Sequence, residues 1–366
     1  MQAIKEFFDK YPNIIAAIKL VIFLYLFFLS LQMMGDSLKL FGKDLSETLI
    51  STTTNPFVGL FIGILATSII QSSSSTTTIV VGMVAGGALT IENAIPIVMG
   101  ANIGTSITNI IASLPQINRN NEFKRAFASA VVHDFFNVLS VFILFPLQIA
   151  TNFLGIFATK MAEAFAGVGG LKFLSPVKAM TKPVVTLIKP YFVDMPWLMF
   201  AIALLLLFIA LKYMVSSLKV IVVSRAKDWF DRYLFKTAVR AFLVGIVLTM
   251  LVQSSSITTS MVVPMAGAGL LTLEQIFPYT LGSNVGTTIT AILAALITGN
   301  IAAVTVAFAH TLFNACGLIL WWPLKKVPIT MARKFAEYSI RNKIIPIAFV
   351  LVIFFIIPLL VIYLSS

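Results

Sequence analysis

The sequence contains one segment twice. Residues 71–108 align without a gap on residues 253–290, and about 20 of the 38 aligned positions are identical. In this alignment QSSSSTTT faces QSSSITTS and GANIGT faces GSNVGT, and further along the chain HDFFN at 133–137 matches HTLFN at 310–314. Because self-similarity of this length indicates a duplicated structural unit, we expect the chain to fold as two related halves.

The composition indicates the environment of these halves. Hydrophobic residues make up 59% of the chain and charged residues 11%, with a mean hydropathy of +0.99. Soluble domains carry about 25% charged residues, so an ordinary soluble enzyme is excluded. The net charge of +12 comes from basic residues clustered between long apolar stretches, which indicates membrane topology rather than nucleic-acid binding. The sequence therefore predicts an all-α polytopic membrane protein.

Both halves are predicted to have the same order of segments: a spanning helix, two short apolar arms around a Gln-Ser tract, a broken helix and a last helix. Each arm has about 13 to 15 residues, too few to span a bilayer, so we predict re-entrant hairpins with the tract at the tip. The predicted units are a first repeat at 1–149 (helix 14–34, hairpin 57–89, broken helix 92–113, helix 122–148), a linker at 150–194, a second repeat at 195–323 (helix 196–223, hairpin 238–271, broken helix 273–298, helix 301–322), and a loop with a last span (344–363) at 324–366.

The number of crossings predicts how the halves are related. Each unit makes three crossings, so the second enters the membrane inverted if the linker stays on one side. Basic residues in the loops at 119–125, 212–240 and 325–343 mark the cytoplasmic side, which also places the N-terminus there. The linker is then external despite its five lysines. Inverted repeats with broken helices are typical of secondary transporters in the cell membrane, with the substrate site at the repeat interface.

The polar tracts are candidates for that site. At a helix break, free carbonyl groups suit Na⁺, and free N–H groups at a positive helix end suit an oxyanion. The alternative is that Ser- and Thr-rich tracts only hold helices together. Matched tracts in two inverted halves favour binding. The candidates are Gln71, Ser72, Ser73, Ser74, Gln253, Ser254, Ser255 and Ser256 at the tips, with Asn102, Thr105, Asn284 and Asn314 at or near the breaks.

Asp134 is an acid well inside a predicted span, and Thr311 is its counterpart in the second half. An ionisable group there costs about 2.5–3.5 kcal/mol on insertion scales, which favours a functional role. We interpret it as a cation ligand rather than as half of a local ion pair, with Asn137 on the same helix face. The neighbouring His133 points elsewhere, and we interpret it and His310 as buried, hydrogen-bonded histidines rather than proton carriers.

Two other functions are considered. An intramembrane serine hydrolase is disfavoured, because no Gly-x-Ser-x-Gly motif occurs and the candidate serines are duplicated. A passive channel remains an alternative, since broken helices and polar hairpins could line a pore. We predict that the chain is not an enzyme.

These motifs resemble those of the type II sodium-dependent phosphate cotransporters, and the chain is similar to a prokaryotic member of that family. The resemblance is carried by QSSSS at 71–75, PIVMGANIGTSITN at 96–109, EFKRAFASAVVHDFFN at 122–137, QSSS at 253–256 and GSNVGTT at 282–288. It implies uptake of inorganic phosphate, preferably the divalent form, driven by Na⁺ through alternating access. It implies no organic cofactor, and we expect one chain to suffice for transport.

The resemblance also implies individual roles. The two Gln-Ser tips would hold phosphate, and sodium ligands would be Asp134, Asn137, Gln116, Ser283 and Thr287. Family members with an aspartate at the position of Asp134 are electrogenic, which implies three Na⁺ per phosphate here. The chain departs from animal relatives at Arg119-Asn120, where they have Asp-Arg. Arg119 is a candidate phosphate contact, shifted by one position.

Overall fold

The computed structural model describes residues 12–41, 43–168, 170, 175–233, 235 and 237–365. Across these residues every regular element is helical, and seven helices are long and apolar enough to span a membrane. They coincide with the seven predicted spans, so the prediction of an all-α polytopic membrane protein is confirmed. The N-terminal residues predicted to be cytoplasmic lie outside the described part of the chain.

The helices are numbered here in chain order. The first half contains α1 (Pro12–Leu40), α2 (Lys43–Thr52), α3 (Pro56–Ile70), α4 (Ser73–Gly86), α5 (Ile91–Gly104), α6 (Ile107–Ser113) and α7 (Asn120–Thr151). The linker forms α8 (Phe153–Gly167) and α9 (Ser175–Ile188). The second half contains α10 (Pro196–Tyr233), α11 (Ala238–Val252), α12 (Ser255–Gly267), α13 (Leu273–Thr298), α14 (Ile301–Trp321), α15 (Lys326–Arg341), α16 (Ile344–Leu351) and α17 (Ile357–Ser365). Single helical turns lie at Leu114–Gln116, Lys189–Phe192 and Val352–Ile356.

Local sequence signals begin these helices where the structure places them. Asn55 caps α3 by accepting a hydrogen bond from the N–H of Phe57, and Pro56 occupies the first helical position, where no N–H is needed. Thr90 caps α5 and Asn300 caps α14 in the same way. Because each cap satisfies donors that the first turn cannot, the arms and broken helices start at fixed residues.

In each half, one helix crossing holds a short arm against the first helix after the hairpin. Helix α3 crosses α5 at Gly63 and Gly100, where a Cβ on Gly100 would lie 1.9 Å from the Leu60 carbonyl oxygen. Helix α11 crosses α13 at Gly245 and Gly282, where a Cβ on Gly282 would lie 2.0 Å from the Phe242 carbonyl oxygen. The repeated glycines therefore allow backbone-to-backbone packing at equivalent places in the two halves.

The first predicted helix break is present. Helix α5 ends at Gly104 and α6 begins at Ile107, with Thr105 and Ser106 between them. The Ser106 hydroxyl lies 2.7 Å from the Ile103 carbonyl oxygen and 2.8 Å from Oδ1 of Asp134. The break provides a hydrogen-bond partner for Asp134, and this contact helps to stabilise the irregular backbone inside a span.

The second predicted break, at 273–298, is wrong. Helix α13 runs without interruption from Leu273 to Thr298, through Gly282, Asn284 and Gly286. In the second half, Thr311 occupies the position equivalent to Asp134. The Thr288 hydroxyl donates to the Val285 carbonyl oxygen at 2.8 Å, within its own helix. Without a charged partner across the interface, the glycines serve packing and the regular helix is retained.

The two halves exchange their hairpin helices. Helix α4 of the first half packs against α13 and α14 of the second, while α12 of the second half packs against α6 and α7 of the first. Helices α1 and α10 lie side by side, with the rings of Phe23 and Tyr213 stacked 4.9 Å apart. This exchange brings the hairpin helices α4 and α12 of the two halves into contact with each other.

The segment predicted as a loop at 325–343 contains a further helix. Helix α15 buries Ile329, Ala332 and Ala336 against α7 and exposes most of its charged residues. Its Arg333 pairs with Glu274 at 2.5 Å, and its Glu337 pairs with Lys124 at 2.6 Å. The hydrogen bond and positive charge of Lys124 lower the pKa of Glu337 below its usual range. The loop prediction was wrong because a short amphipathic helix has too few apolar residues to count as a span.

Candidate functional site

Each short arm ends at a glutamine in the left-handed backbone region. Gln71 has φ 56° and Gln253 has φ 55°, and the N–H of each donates at 2.7 Å to a threonine carbonyl one turn earlier, in Thr67 and Thr249. A residue other than glycine in this region costs of order 1–3 kcal/mol, and such strain clusters at functional sites. The same conformation recurs at equivalent positions of the duplicated unit, which identifies the two turns as a paired feature.

A serine follows each glutamine and caps the next helix. The Ser72 hydroxyl accepts from the N–H of Ser75 at 3.2 Å, and the Ser254 hydroxyl accepts from the N–H of Ile257 at 3.3 Å. The first N–H groups of a helix have no partner within that helix, and its N-terminus carries a partial positive charge. Each turn therefore offers hydroxyls and a positive helix end at one place.

Both turns line a single cavity of about 520 Å³. From the first half it is lined by Gln71, Ser72 and Ser75, and from the second by Gln253, Ser254 and Ser256. The remaining walls come from Ile70, Thr108, Phe208, Leu211, Lys212, Ser216 and Ile257. The exchange of hairpin helices thus brings together two tracts that are 182 positions apart in the sequence.

Lys212 is a cationic residue of this cavity that the sequence prediction missed. It lies in α10, near the end of an apolar stretch, and it was interpreted there as the first charge of a cytoplasmic loop. Lys212 lies within the predicted span 196–223, four residues before the serine pair at 216–217. This position could have marked it as a lining residue. In the structure Lys212 lines the same cavity as the two glutamines, and its Nζ lies 5.6 Å from the centre of the Tyr213 ring.

The remaining tip residues do not line this cavity. Ser73, Ser74 and Ser255 are buried at 2–3% exposure, and the Ser74 hydroxyl has no hydrogen-bond partner within the described residues. Arg119 is not part of this lining. Its guanidinium is exposed and pairs with Glu122 at 3.0 Å at the start of α7.

Asp134 is buried in the middle of α7. It accepts a hydrogen bond from Ser106 at the helix break, and it takes part in none of the ion pairs found among the described residues. The adjacent His133 points to another side of the helix, as its spacing predicts. The local ion pair considered for Asp134 is therefore not formed, and its carboxylate is left with a neutral hydroxyl partner.

Three asparagines from both halves meet beside His133. The side-chain amide of Asn284 donates to Oδ1 of Asn137 at 2.8 Å, and that of Asn137 donates to the backbone carbonyl of Asn102 at 2.7 Å. Nε2 of His133 lies 2.7 Å from Oδ1 of Asn284. Asn102, Asn137 and Asn284, called the asparagine cluster below, join α5, α7 and α13, and His133 contacts the cluster from one side.

The other predicted sodium ligands lie in four places. Ser283 is within 3.4 Å of the Thr258 hydroxyl and accepts, through its carbonyl, a bond from Thr287. Thr105 donates to the Ala101 carbonyl, and Oε1 of Gln116 has no partner among the described residues. Asn314 donates to the carbonyl of His310, whose two ring nitrogens are buried without a hydrogen-bond partner in the described structure. The prediction of a hydrogen-bonded histidine thus holds for His133 and is wrong for His310.

The fold and the paired turns define a polytopic helical membrane protein with a duplicated core and a polar cavity lined by both halves. Comparison with known proteins identifies it further: residues 26–173 and 206–333 match the Na⁺/Pi-cotransporter family, and the chain belongs to that family. It is 34% identical to human sodium-dependent phosphate transport protein 2B, with 94% of this chain and 64% of the relative aligned. It is 32% identical to mouse sodium-dependent phosphate transport protein 2A, with 93% and 66% aligned.

The chain therefore spans about two thirds of the length of these relatives. No solved structure matches the chain. The family and the names of the relatives are those of transport proteins, which confirms the prediction that the chain is not an enzyme.

Proposed function

We propose that this protein is a secondary active transporter that takes up inorganic phosphate together with Na⁺. The observation that carries the proposal is the single cavity lined by both Gln-Ser turns and Lys212. The names of the relatives, which are sodium-dependent phosphate transport proteins, support the choice of substrate and coupling ion.

The cavity has the chemistry that phosphate needs. Helices α4 and α12 both begin at it, so two positive helix ends are available to an anion. The serine hydroxyls and glutamine amides supply neutral hydrogen bonds, and Lys212 supplies one positive charge. A positive charge in the lining favours the divalent form of phosphate over the monovalent form.

The buried oxygens behind the turns have the chemistry that Na⁺ needs. The asparagine cluster, the Thr258–Ser283 pair and the carbonyls around them are neutral oxygen donors that can replace a hydration shell. Within the described residues no three His, Cys, Asp or Glu side chains come together as a transition-metal site would require. Asp134 supplies a carboxylate for a further Na⁺.

A third Na⁺ at Asp134 makes transport electrogenic. Three Na⁺ with one divalent phosphate carry one net positive charge inward. One charge moving through 100 mV is worth about 2.3 kcal/mol, or roughly fifty-fold more accumulation of phosphate.

The proposal includes the membrane topology. The repeats 1–149 and 195–323 are inverted relative to each other, the Gln-Ser turns are the tips of re-entrant hairpins, and the linker 150–194 is external. The N-terminus is cytoplasmic in the cell membrane. Alternating access then exposes the cavity to one side at a time, and one chain contains the whole pathway.

The test is uptake of radiolabelled phosphate into proteoliposomes, with Na⁺ or K⁺ outside and the membrane potential set by valinomycin. We expect uptake that requires Na⁺ and rises when the inside is negative. Uptake that requires Na⁺ but ignores voltage would refute the three-sodium stoichiometry. Absence of Na⁺-dependent uptake by folded protein would refute the function, and uptake that ignores any gradient would favour a channel.

A further inference from the structure

A line of buried hydrogen bonds connects the second Gln-Ser turn to the asparagine cluster. The Thr259 hydroxyl donates to Oδ1 of Asn109 at 2.9 Å, and the Asn109 amide lies 3.0 Å from Nδ1 of His133. His133 continues the line to Asn284, and Asn284 continues it to Asn137. All five side chains are at most 3% exposed. The line crosses the interface between the halves three times.

The order of donors in this line depends on His133. The amide nitrogen of Asn284 donates to Asn137, so its oxygen faces His133 and accepts from the Nε2–H. The amide nitrogen of Asn109 donates to Nδ1, which must then be unprotonated. Reversing either amide would place two donors or two acceptors face to face in a buried site, which is costly. The neutral imidazole with its proton on Nε2 therefore fixes the orientation of both amides.

The line begins at a hydroxyl with two possible acceptors. Thr259 lies 2.7 Å from the carbonyl oxygen of Ser255 and 2.9 Å from Oδ1 of Asn109, but it has one proton to donate. Ser255 is the first residue of α12 and lies in the chain between Ser254 and Ser256, which line the cavity. The Thr259 hydroxyl therefore joins the first turn of α12 to Asn109 in the other half.

We propose that His133 is the positioning residue that couples anion binding at the Gln-Ser turns to Na⁺ binding at the asparagine cluster. The inference rests on the proposed function, because it assigns phosphate to the turns and Na⁺ to the cluster. His133 contacts neither ion. It transmits the state of Thr259 and Asn109 to the amide of Asn284, and so to the oxygens of Asn137 and Asn102.

The second half provides an internal control. His310 occupies the equivalent place in α14, but Ala291 stands where the first half has Asn109, and both nitrogens of His310 lack a partner in the described structure. Both halves therefore contain the histidine, but only His133 belongs to a line of hydrogen bonds between the halves. Substituting His310 changes an equally buried imidazole without breaking that line.

The experiment measures binding by the purified full chain in nanodiscs. The phosphate Kd is determined at low and at saturating Na⁺, and the apparent Na⁺ affinity with and without phosphate. Coupling between two sites must be reciprocal and commonly amounts to a factor of about 5–150. We expect His133→Leu to abolish most of the Na⁺-induced tightening, a loss of about tenfold, while the phosphate Kd at low Na⁺ stays unchanged. His133→Gln, which keeps an acceptor and a donor, should restore coupling, and His310→Leu should retain it.

Each outcome decides the inference. Damage to the phosphate site itself would weaken binding at low and saturating Na⁺ alike, and that result in folded His133→Leu would overturn a coupling role. Unaltered coupling in His133→Leu would overturn it as well. If His133→Leu does not fold, Asn109→Ala breaks the same line with the residue that the second half already has, and it must lose the coupling. Wild-type protein that binds phosphate without regard to Na⁺ would instead refute the proposed function.

Discussion

Asp134 is the residue on which the proposed stoichiometry depends. Its carboxylate is buried beside a neutral hydroxyl, so it can bind a cation without displacing another ion. We expect Asp134→Gly to keep Na⁺-dependent phosphate uptake but to reduce the net charge moved per phosphate from one to zero. Transport currents and radiolabel flux, recorded on the same proteoliposomes, measure this ratio.

Thr311→Gly is the matched control, because it makes the same backbone change at the equivalent position of the other half. Glycine inside a helix costs about 1 kcal/mol, so any general destabilisation should be shared by the two variants. Only the aspartate variant should lose its current. An unchanged charge-to-phosphate ratio in Asp134→Gly would refute the assignment.

Lys212 is expected to contribute to phosphate affinity through its charge. A charge-assisted contact is worth about 1.5–3 kcal/mol when buried, and less in an open cavity, so Lys212→Gln should raise the KM for phosphate roughly tenfold. Lys212→Arg should restore affinity in large part. Exposed Lys182 in the linker provides the control substitution to Gln, and equal KM values for the two Gln variants would contradict a role for Lys212 in the cavity.

At the scale of single elements, the paired helix crossings are required for folding. A Cβ on Gly282 would overlap the Phe242 carbonyl oxygen, so Gly282→Ala should destabilise the protein by about 1–3 kcal/mol or more. Gly35 in α1 has open space around its missing Cβ, and Gly35→Ala should be neutral or stabilising by up to about 1 kcal/mol. Thermal unfolding in detergent compares the two variants. Equal melting temperatures would show that α11 and α13 can separate at this crossing.

The elements also show what sequence patterns could predict. Hydropathy over about 20 residues locates the seven spans, and repetition of QSSS locates both turns, because these signals are local. The uninterrupted α13 could not be predicted, since GSNVGT resembles GANIGT and the difference depends on Thr311, in another helix. The position of Lys212 at the cavity and the line of hydrogen bonds through His133 depend on contacts between distant segments, which local sequence signals do not report. The basic residues at 212–240 predicted a loop. In the structure, however, α10 packs so that Lys212 lies at the cavity.

At the scale of the whole molecule, the proposal requires both halves to serve one substrate. Ser72 and Ser254 line the same cavity, so phosphate should shield both of them. The free cysteine Cys316 is first replaced by alanine, and then Ser72→Cys and Ser254→Cys are made separately. At tenfold excess over Kd, phosphate with Na⁺ should slow labelling of either thiol by a thiol reagent about tenfold, because only the unoccupied fraction reacts.

Equal protection is the decisive feature of this last test, since two independent sites would have different affinities and different Na⁺ requirements. Ser51→Cys, on the exposed face of α2, should label at the same rate with and without phosphate. Phosphate should therefore give one half-protection concentration for both turns, and removal of Na⁺ should shift both together. Protection of only one turn would mean that the duplicated tracts have diverged, with one binding the anion and the other retained for packing between the halves.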